Sequence, residues 1–391
     1  MIGIVGKTNV GKSTFFKALT LMDVEIGDRI FVTIKPNQGV GHVTRQCPCK
    51  KLGVKCNPRN SQCVSGIRLM PIKLLDVAGL VPGAHEGKGL GNRFLDDLRQ
   101  ADAFIQVVDM SGSTNENGEH VESGSYDPEN EIEFLKHEMD EWFSGILKRN
   151  WDKIKKQVQH VGKNLEEELA RQLSGLNISE DSVKQAIKNL DLSKDPVKWD
   201  ETDLKLFSIE IRALSKRMII AGNKVDMKTG EENYKRLEQE HDIMPCSAES
   251  ELALKEAAKH DLIEYFPGDG GFKVRGELSD KQKKALEFIQ KNVLEKFGST
   301  GVQHCINSLV FDEMGMIVVY PVASISRHSD KQGNVLPDAF LVAQGTRLKE
   351  FAEKVHSTMA EHFIGGLNAE RKKIGADYEL KDGDVVEILF K

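Results

Sequence analysis

No apolar run in this 391-residue chain approaches the roughly 18 residues that a membrane span requires, which excludes a helical membrane protein. Basic charge is not in excess either. The formal net charge is −6 with 29% charged residues, so the chain is not basic all over and any nucleic-acid contact has to be local. The first apolar strand opens at Ile2 with no leader-like stretch before it, and the expected location is cytoplasmic. Cysteine is scarce, six in all, yet four fall in one short stretch. The length suggests two or three domains.

What is present begins at once. The apolar strand Ile2 to Val5 runs into Gly6-Lys7-Thr8-Asn9-Val10-Gly11-Lys12-Ser13-Thr14, and a helical run follows. Glycine, four residues, then Gly-Lys-Ser is the spacing of a phosphate-binding loop: backbone N–H groups wrap a pyrophosphate, Lys12 meets the outer phosphates and Ser13 meets their magnesium. A second apolar strand, Met218 to Ala221, ends in Asn223-Lys224-Val225-Asp226. The Asp226 carboxylate offers two acceptors that suit the N1–H and exocyclic amine of guanine, whereas adenine has no such donor pair. Ser247-Ala248-Glu249 lies at another strand end and is similar to the motif whose backbone contacts the guanine oxygen in GTPases. Between these elements Asp76-Val77-Ala78-Gly79-Leu80 closes an apolar segment, and upstream Phe31-Val32-Thr33-Ile34-Lys35-Pro36-Asn37-Gln38-Gly39 offers Thr33 as a further hydroxyl.

The pattern of Phe31, Thr33, Pro36, Asn37 and Gly39, together with the run from Asp76 through Gly83, Gly87, Gly89 and Gly91 to Leu95, resembles the Obg family of GTPases and, within it, the YchF-related archaeal branch. The resemblance covers most of the chain. It implies that Ser13 and Thr33 ligate magnesium, that Asp76 holds a magnesium water, and that the Gly79 N–H reports the γ-phosphate while Lys12 stabilises the transferring phosphoryl group. YchF proteins proper usually lack the guanine-specifying lysine and aspartate and prefer ATP. Here Asn223, Lys224 and Asp226 are intact, so GTP is expected over ATP. Leu80 stands where Ras-like proteins place a glutamine that orients water, and leucine cannot hydrogen-bond water, so intrinsic hydrolysis should be slow. Asn9 resembles the loop asparagine of potassium-stimulated GTPases; the alternative is that it braces the loop through a local backbone bond.

Cys47, Cys49, Cys56 and Cys63 follow the spacing C-x-C-x6-C-x6-C. Four thiolates can enclose a tetrahedral zinc, although the close pair departs from the usual C-x2-C. The alternatives are two disulfides, if the source is a hyperthermophile in which intracellular bridges occur, and unbridged thiols. Cys246 and Cys305 lie on apolar stretches and read as packing residues.

From Asp109 to Asn223 the chain runs about 110 residues, where one crossover unit of a parallel sheet needs about 30. Apolar residues recur at three- and four-residue steps from Ile132 to Val161, and again through Leu176, which predicts a helical hairpin projecting from the sheet, with Ser111 to Asp127 as a hinge. YchF-like proteins carry a comparable insertion. Lys148, Arg149, Lys153, Lys155 and Lys156 form a basic run on it, a solvated face or an RNA contact, with Glu166, Glu167 and Glu168 near enough in sequence to neutralise it. Beyond Met316, strands around one helix, with Leu336-Pro337-Asp338-Ala339, Gly345-Thr346 and Asp382-Gly383-Asp384, resemble a TGS domain, a β-grasp module of RNA- and ribosome-linked proteins. His356 has no partner motif and reads as a helix-face residue.

The expected architecture is an α/β P-loop NTPase G domain with a doubly wound, mostly parallel sheet, in segments 1–112 and 205–315, a helical insertion at 113–204, and a TGS-like β-grasp domain at 316–391. The expected function is GTP binding and hydrolysis to GDP and phosphate as a switch associated with ribosome or RNA through the insertion and the TGS domain, with Mg2+ and with K+ or Zn2+ as further ions. Two alternatives stand beside it: an RNA- or ribosome-binding adaptor with nucleotide as a structural ligand, and a nucleotide-dependent metal sensor. The oligomeric state is not readable from the sequence.

Overall fold

The computed structural model describes residues 1–21, 37–77 and 97–391. They form two compact units, one of Met1–Leu21, Asn37–Gly39 and Leu74–Cys305, the other of the described residues in Val40–Lys73 and Ile306–Lys391.

Four strands open the chain: β1 (Ile2–Val5), β2 (Gln38–Gln46), β3 (Gln62–Val64) and β4 (Ile67–Asp76). In the first unit β1 pairs in parallel with the end of β4, setting Ile4 opposite Asp76, and on its other side with β5 (Ala103–Asp109). The sheet continues in parallel through β6 (Arg217–Asn223) to β7 (Ile243–Pro245). All residues of β1 and β5 are buried. That follows from their largely apolar sequence, since a parallel strand is covered on both faces; the two polar residues of β5, Gln106 and Asp109, are buried with hydrogen-bond partners. The register sets Asp109 opposite Asn223 and Gly222 opposite Pro245, so the loops after β1, β4, β5, β6 and β7 leave from one edge of the sheet. Ligands of open α/β sheets bind at that carboxyl edge.

Helix α1 (Lys12–Thr20) follows β1 directly. The insertion begins with α2 (Pro128–Val161), started by proline in its first turn and by Asp127, whose side chain accepts from the Glu129 N–H, and stopped by Gly162 at φ 70°. Helices α3 (Leu165–Leu173), α4 (Glu180–Asn189) and α5 (Glu201–Ser215) return toward the sheet, capped by Asn164, Ser179 and the Asp200/Asp203 capping box. The hairpin expected to project from the sheet instead shares a core with it: Trp142, Trp151, Leu169 and Phe207 belong to one apolar cluster with Val5, Leu75 and Phe104. The unit also holds α6 (Lys228–Leu237) and α7 (Ala248–Lys259). Cys246 and Cys305 are fully buried with sulfurs 3.3 Å apart, consistent with packing residues.

In the second unit, strand Met316–Val322 runs antiparallel to Phe340–Ala343 and parallel to Val385–Phe390, which pairs antiparallel with Phe363–Leu367. Helix Leu348–Val355 lays Leu348, Phe351 and Ala352 into a cluster with Val319, Val342 and Ile388. This is the expected β-grasp arrangement. His356 caps the next turn of helix, its Nδ1 accepting from the Thr358 N–H at 3.2 Å. The unit also takes in residues 40–73 and with them the cysteine-bearing stretch, which the sequence places in the first segment.

Candidate nucleotide-binding site

The loop between β1 and α1 is held open by close backbone approaches that exclude side chains. A Cβ on Gly6 would lie 2.5 Å from the Val107 carbonyl oxygen, and one on Gly11, at φ 94°, would lie 2.3 Å from Asn223 Nδ2. Gly11 supplies no side-chain cap to α1, so the first-turn N–H groups face the loop without an internal partner. Partial positive charge and free donors at that point suit a phosphate.

Asn223 joins three loops. Its Nδ2 donates to the Val10 carbonyl at 2.9 Å, its Oδ1 accepts from the Ala248 N–H at 3.0 Å, and it is 3% exposed. Lys224, at φ 65°, sends Nζ to the Asn9 carbonyl at 3.3 Å, to Asp109 Oδ2 at 2.8 Å and to Ser113 Oγ at 3.1 Å. The structure therefore brings together Gly6 to Thr14, Asn223, Lys224 and the Ser247-Ala248-Glu249 turn, with Asp226 half-buried just beyond Lys224 and Glu249 exposed.

Lys12 Nζ stands 4.0 Å from Asp76 Oδ1. Burial draws the Lys12 ammonium below its ordinary pKa, against the pull of Asp76, and burial pushes the Asp76 carboxyl up, against the pull of Lys12. Asp76 Oδ1 is buried and has no hydrogen-bond partner among the described residues. An unsatisfied carboxylate oxygen beside a phosphate-binding loop, with the exposed Ser13 hydroxyl on that loop, is a donor set that fits a hard divalent cation. Thr33, Gly79 and Leu80 lie outside the described residues.

The segment from Ser111 to Asp127, read from sequence as a hinge, is instead a brace. Its anchor is Asp109, fully buried at the end of β5, which accepts from Ser111, Ser113, Thr114 and Lys224. Burial alone would raise the Asp109 carboxyl, but the bonds from Lys224 and Ser111 outweigh it and hold it below its ordinary value. The segment then lies against the phosphate loop: Lys7 Nζ donates to the Asn115 carbonyl and Asn9 Nδ2 to the Gly118 carbonyl, each at 2.9 Å. The Asn9 side chain does brace the loop, but through a long-range bond to Gly118 and not through the local backbone bond read from sequence. Sequence reading missed this brace, although hydroxyl and amide side chains crowded just after a strand-ending aspartate are a signal for a side-chain-organised loop.

Residues 1–142 match a family described as a 50S ribosome-binding GTPase, residues 221–324 the G4 motif-containing domain of Obg-like GTPases, and residues 332–390 the TGS domain. An uncharacterized GTP-binding protein of Methanocaldococcus jannaschii is 51% identical over the whole chain and 98% of its own length. The chain belongs to the Obg-like, YchF-related GTP-binding proteins. The family's fold is confirmed by the crystal structure of a GTP-binding protein from Pyrococcus horikoshii, 39% identical, with a TM-score of 0.81 over 100% of this chain and 99% of that one. Another relative is the ribosome-binding ATPase YchF of Bacillus subtilis, 30% identical over 99% of this chain and 98% of its own. As in its family, the chain pairs a P-loop domain with a TGS domain, and among the described residues no helix is long and apolar enough to cross a membrane.

Proposed function

We propose that this protein is a slow GTPase switch that selects guanine and couples its nucleotide state to a ribosome or RNA partner. The observation that carries the reading is the Asn223–Lys224 pair, which fastens the phosphate loop to the strand end that presents Asp226. A base reader and a phosphate cradle tied by the same two side chains form one site for one nucleotide. In it Gly6 to Thr14 wrap the phosphates, Lys12 meets the outer ones, Asp226 takes the guanine edge, and the Ala248 backbone and Glu249 turn close the base side.

Ser13 and Thr33 would ligate Mg2+ and Asp76 would hold one of its waters. Bound there, the ion supplies charge neutralisation on the phosphate oxygens. The Gly79 N–H reports the γ-phosphate to the glycine-rich loop that follows. Leu80 offers no hydrogen bond to water, so positioning and charge do the work and turnover is slow unless a partner completes the site. With its amide nitrogen committed to Gly118, Asn9 retains its side-chain oxygen for a potassium ion. Turnover at equal ionic strength in potassium and sodium separates that role from bracing alone; equal rates remove it.

The ribosome or RNA assignment is supported by the ribosome-binding relatives and by the TGS domain. It is also supported by the basic face of α2, where Lys148, Arg149, Lys153 and Lys156 are exposed. Glu166 and Glu168 do not neutralise that face, since they pair with Lys194 and with Arg171 and Lys163. The test is twofold. Calorimetry with magnesium should show GTP and GDP binding well above ATP, and equal affinity for ATP would overturn the base assignment. Co-sedimentation with ribosomal subunits should depend on nucleotide, and single-turnover hydrolysis should speed up in their presence. Unchanged hydrolysis with retained co-sedimentation would favour the adaptor reading, in which nucleotide is structural.

A further inference from the structure

We infer that Cys47, Cys49, Cys56 and Cys63 form a tetrahedral four-thiolate zinc site that staples residues 47–63 to the β-grasp unit. Their sulfurs all lie within 4.8 Å of one another. Cys47 and Cys56 sulfurs are 3.9 Å apart and those of Cys49 and Cys63 are 3.8 Å apart. A disulfide needs about 2.05 Å, so neither pair is bonded. A tetrahedron with metal–sulfur bonds of about 2.3 Å has edges of about 3.8 Å, the spacing of these two pairs, and the other sulfur pairs lie within 4.8 Å. Spacing along the chain obscured this because Cys47 and Cys49 do not make the usual close pair. The fold compensates from the other side: Ser65 and Gly66, both at positive φ, turn the β3–β4 hairpin tightly, and the Gly66 carbonyl accepts the Cys47 N–H at 2.9 Å, drawing Cys63 and Cys47 together.

A second observation points to an anionic centre. Four thiolates around one divalent ion leave a net charge of about −2. Beside Cys47 stands Arg68, fully buried, with Nη1 on Ser61 Oγ at 3.0 Å and Nη2 on the Leu336 carbonyl at 2.9 Å. Its Nε has no hydrogen-bond partner among the described residues. A buried guanidinium with a spare donor is costly unless an anion compensates it, and a four-thiolate zinc centre does so.

The staple has a consequence for the β-grasp unit. Between Cys56 and Cys63, Asn57 exchanges backbone and side-chain bonds with Val335, Arg59 donates to the Pro337 carbonyl and to Asp338, and Asn60 exchanges bonds with Ala339. This pairing holds the segment that leads into strand Phe340–Ala343. A short polar loop cannot keep that conformation by apolar burial, and zinc supplies the missing order.

The experiment is metal analysis of the full chain purified under reducing, chelator-free conditions. Expected are about one zinc per chain, its release by a mercurial that titrates four thiols, and, after cobalt(II) substitution, the visible absorption of tetrahedral four-thiolate cobalt. Cys56→Ser should lower zinc occupancy at least about tenfold. In the wild type, zinc withdrawal should speed amide exchange in 47–64 and 334–339 while β1 and β5 keep their protection, a readout independent of how well the variant folds. Zinc below about a tenth of an equivalent, iron in its place, or two disulfides under non-reducing mass spectrometry would each overturn the proposal.

Discussion

Lys7 Nζ lies 3.4 Å from Glu131 Oε2, and both side chains are 2% exposed. The pair ties the phosphate loop to the first turn of α2, with the Tyr126 ring 4.0 Å from the same ammonium and Gln106 Nε2 bonded to the Glu131 carbonyl. Burial is the main force on the Glu131 carboxyl and, although Lys7 opposes it, pushes it up to about 7 from an ordinary 4.5. In that window the folded state holds a proton that the unfolded state has released. Stability therefore falls as pH rises from the lower value toward the upper and levels off above it. Urea unfolding across this range should show the wild type losing on the order of 3 kcal/mol more than Glu131→Gln does. Parallel curves for the two proteins would show that Glu131 is already ionised when folded.

Asn223→Ala should remove two buried bonds at once and leave the Val10 carbonyl and the Ala248 N–H unpaired. The expected cost is about 2 kcal/mol in stability, read by denaturant midpoint, with GTP affinity falling by about two orders of magnitude in calorimetry. A stability loss with unaltered affinity would mean that the loops hold their places without the amide.

At Asp226 a single oxygen-to-amide exchange should change the base. Asp226→Asn turns one acceptor into a donor, so GTP should bind about 100-fold more weakly. Xanthosine triphosphate, which carries a carbonyl where guanine carries its amine, should gain. Retained guanine preference in a competition assay would dismiss Asp226 as the reader.

Reversing charge on the exposed face of α2, with Lys148→Glu, Arg149→Glu, Lys153→Glu and Lys156→Glu, should weaken co-sedimentation with ribosomal subunits and flatten its dependence on salt, because fewer phosphate counterions are displaced. GTP affinity should stay within about twofold, since the face carries none of the proposed nucleotide contacts. Unchanged binding and salt slope would return this run to a solvated helix face. That reading is already met at Lys155, which pairs with Asp152 at 2.8 Å.

The phosphate loop was legible because its chemistry is local. Gly6 and Gly11 belong to a fixed short spacing and sit at positive φ, although the close approaches of Val107 and Asn223 that also demand glycine there are long-range, and the flanking strand and helix announce themselves by apolar run and periodicity. The parallel sheet was legible for a similar reason, since strands buried on both faces read as mainly apolar segments, such as Ile2 to Val5 and, with Gln106 as its one polar residue, Phe104 to Val108. Helix α2 showed in its apolar steps from Ile132 to Ile154, but those steps fit a projecting hairpin as well as a helix buried against the sheet. Periodicity reports which face is covered and not by what. The segment after Asp109 misled because polar, glycine-rich composition describes a loose linker and a loop organised by its own side chains equally well.

Sequence alone thus identified the family of GTP-binding proteins, since its phosphate loop and Asn-Lys-x-Asp are short motifs that can be read where they stand in the chain. Tertiary structure decided the rest: that Asn115 and Gly118 close over Lys7 and Asn9, that Glu131 is buried against an ammonium more than a hundred residues away, and that four sulfurs with an unusual spacing converge on one point. Such meetings depend on how strands register and helices pack, and those distances are set by the folded core, not by position along the chain.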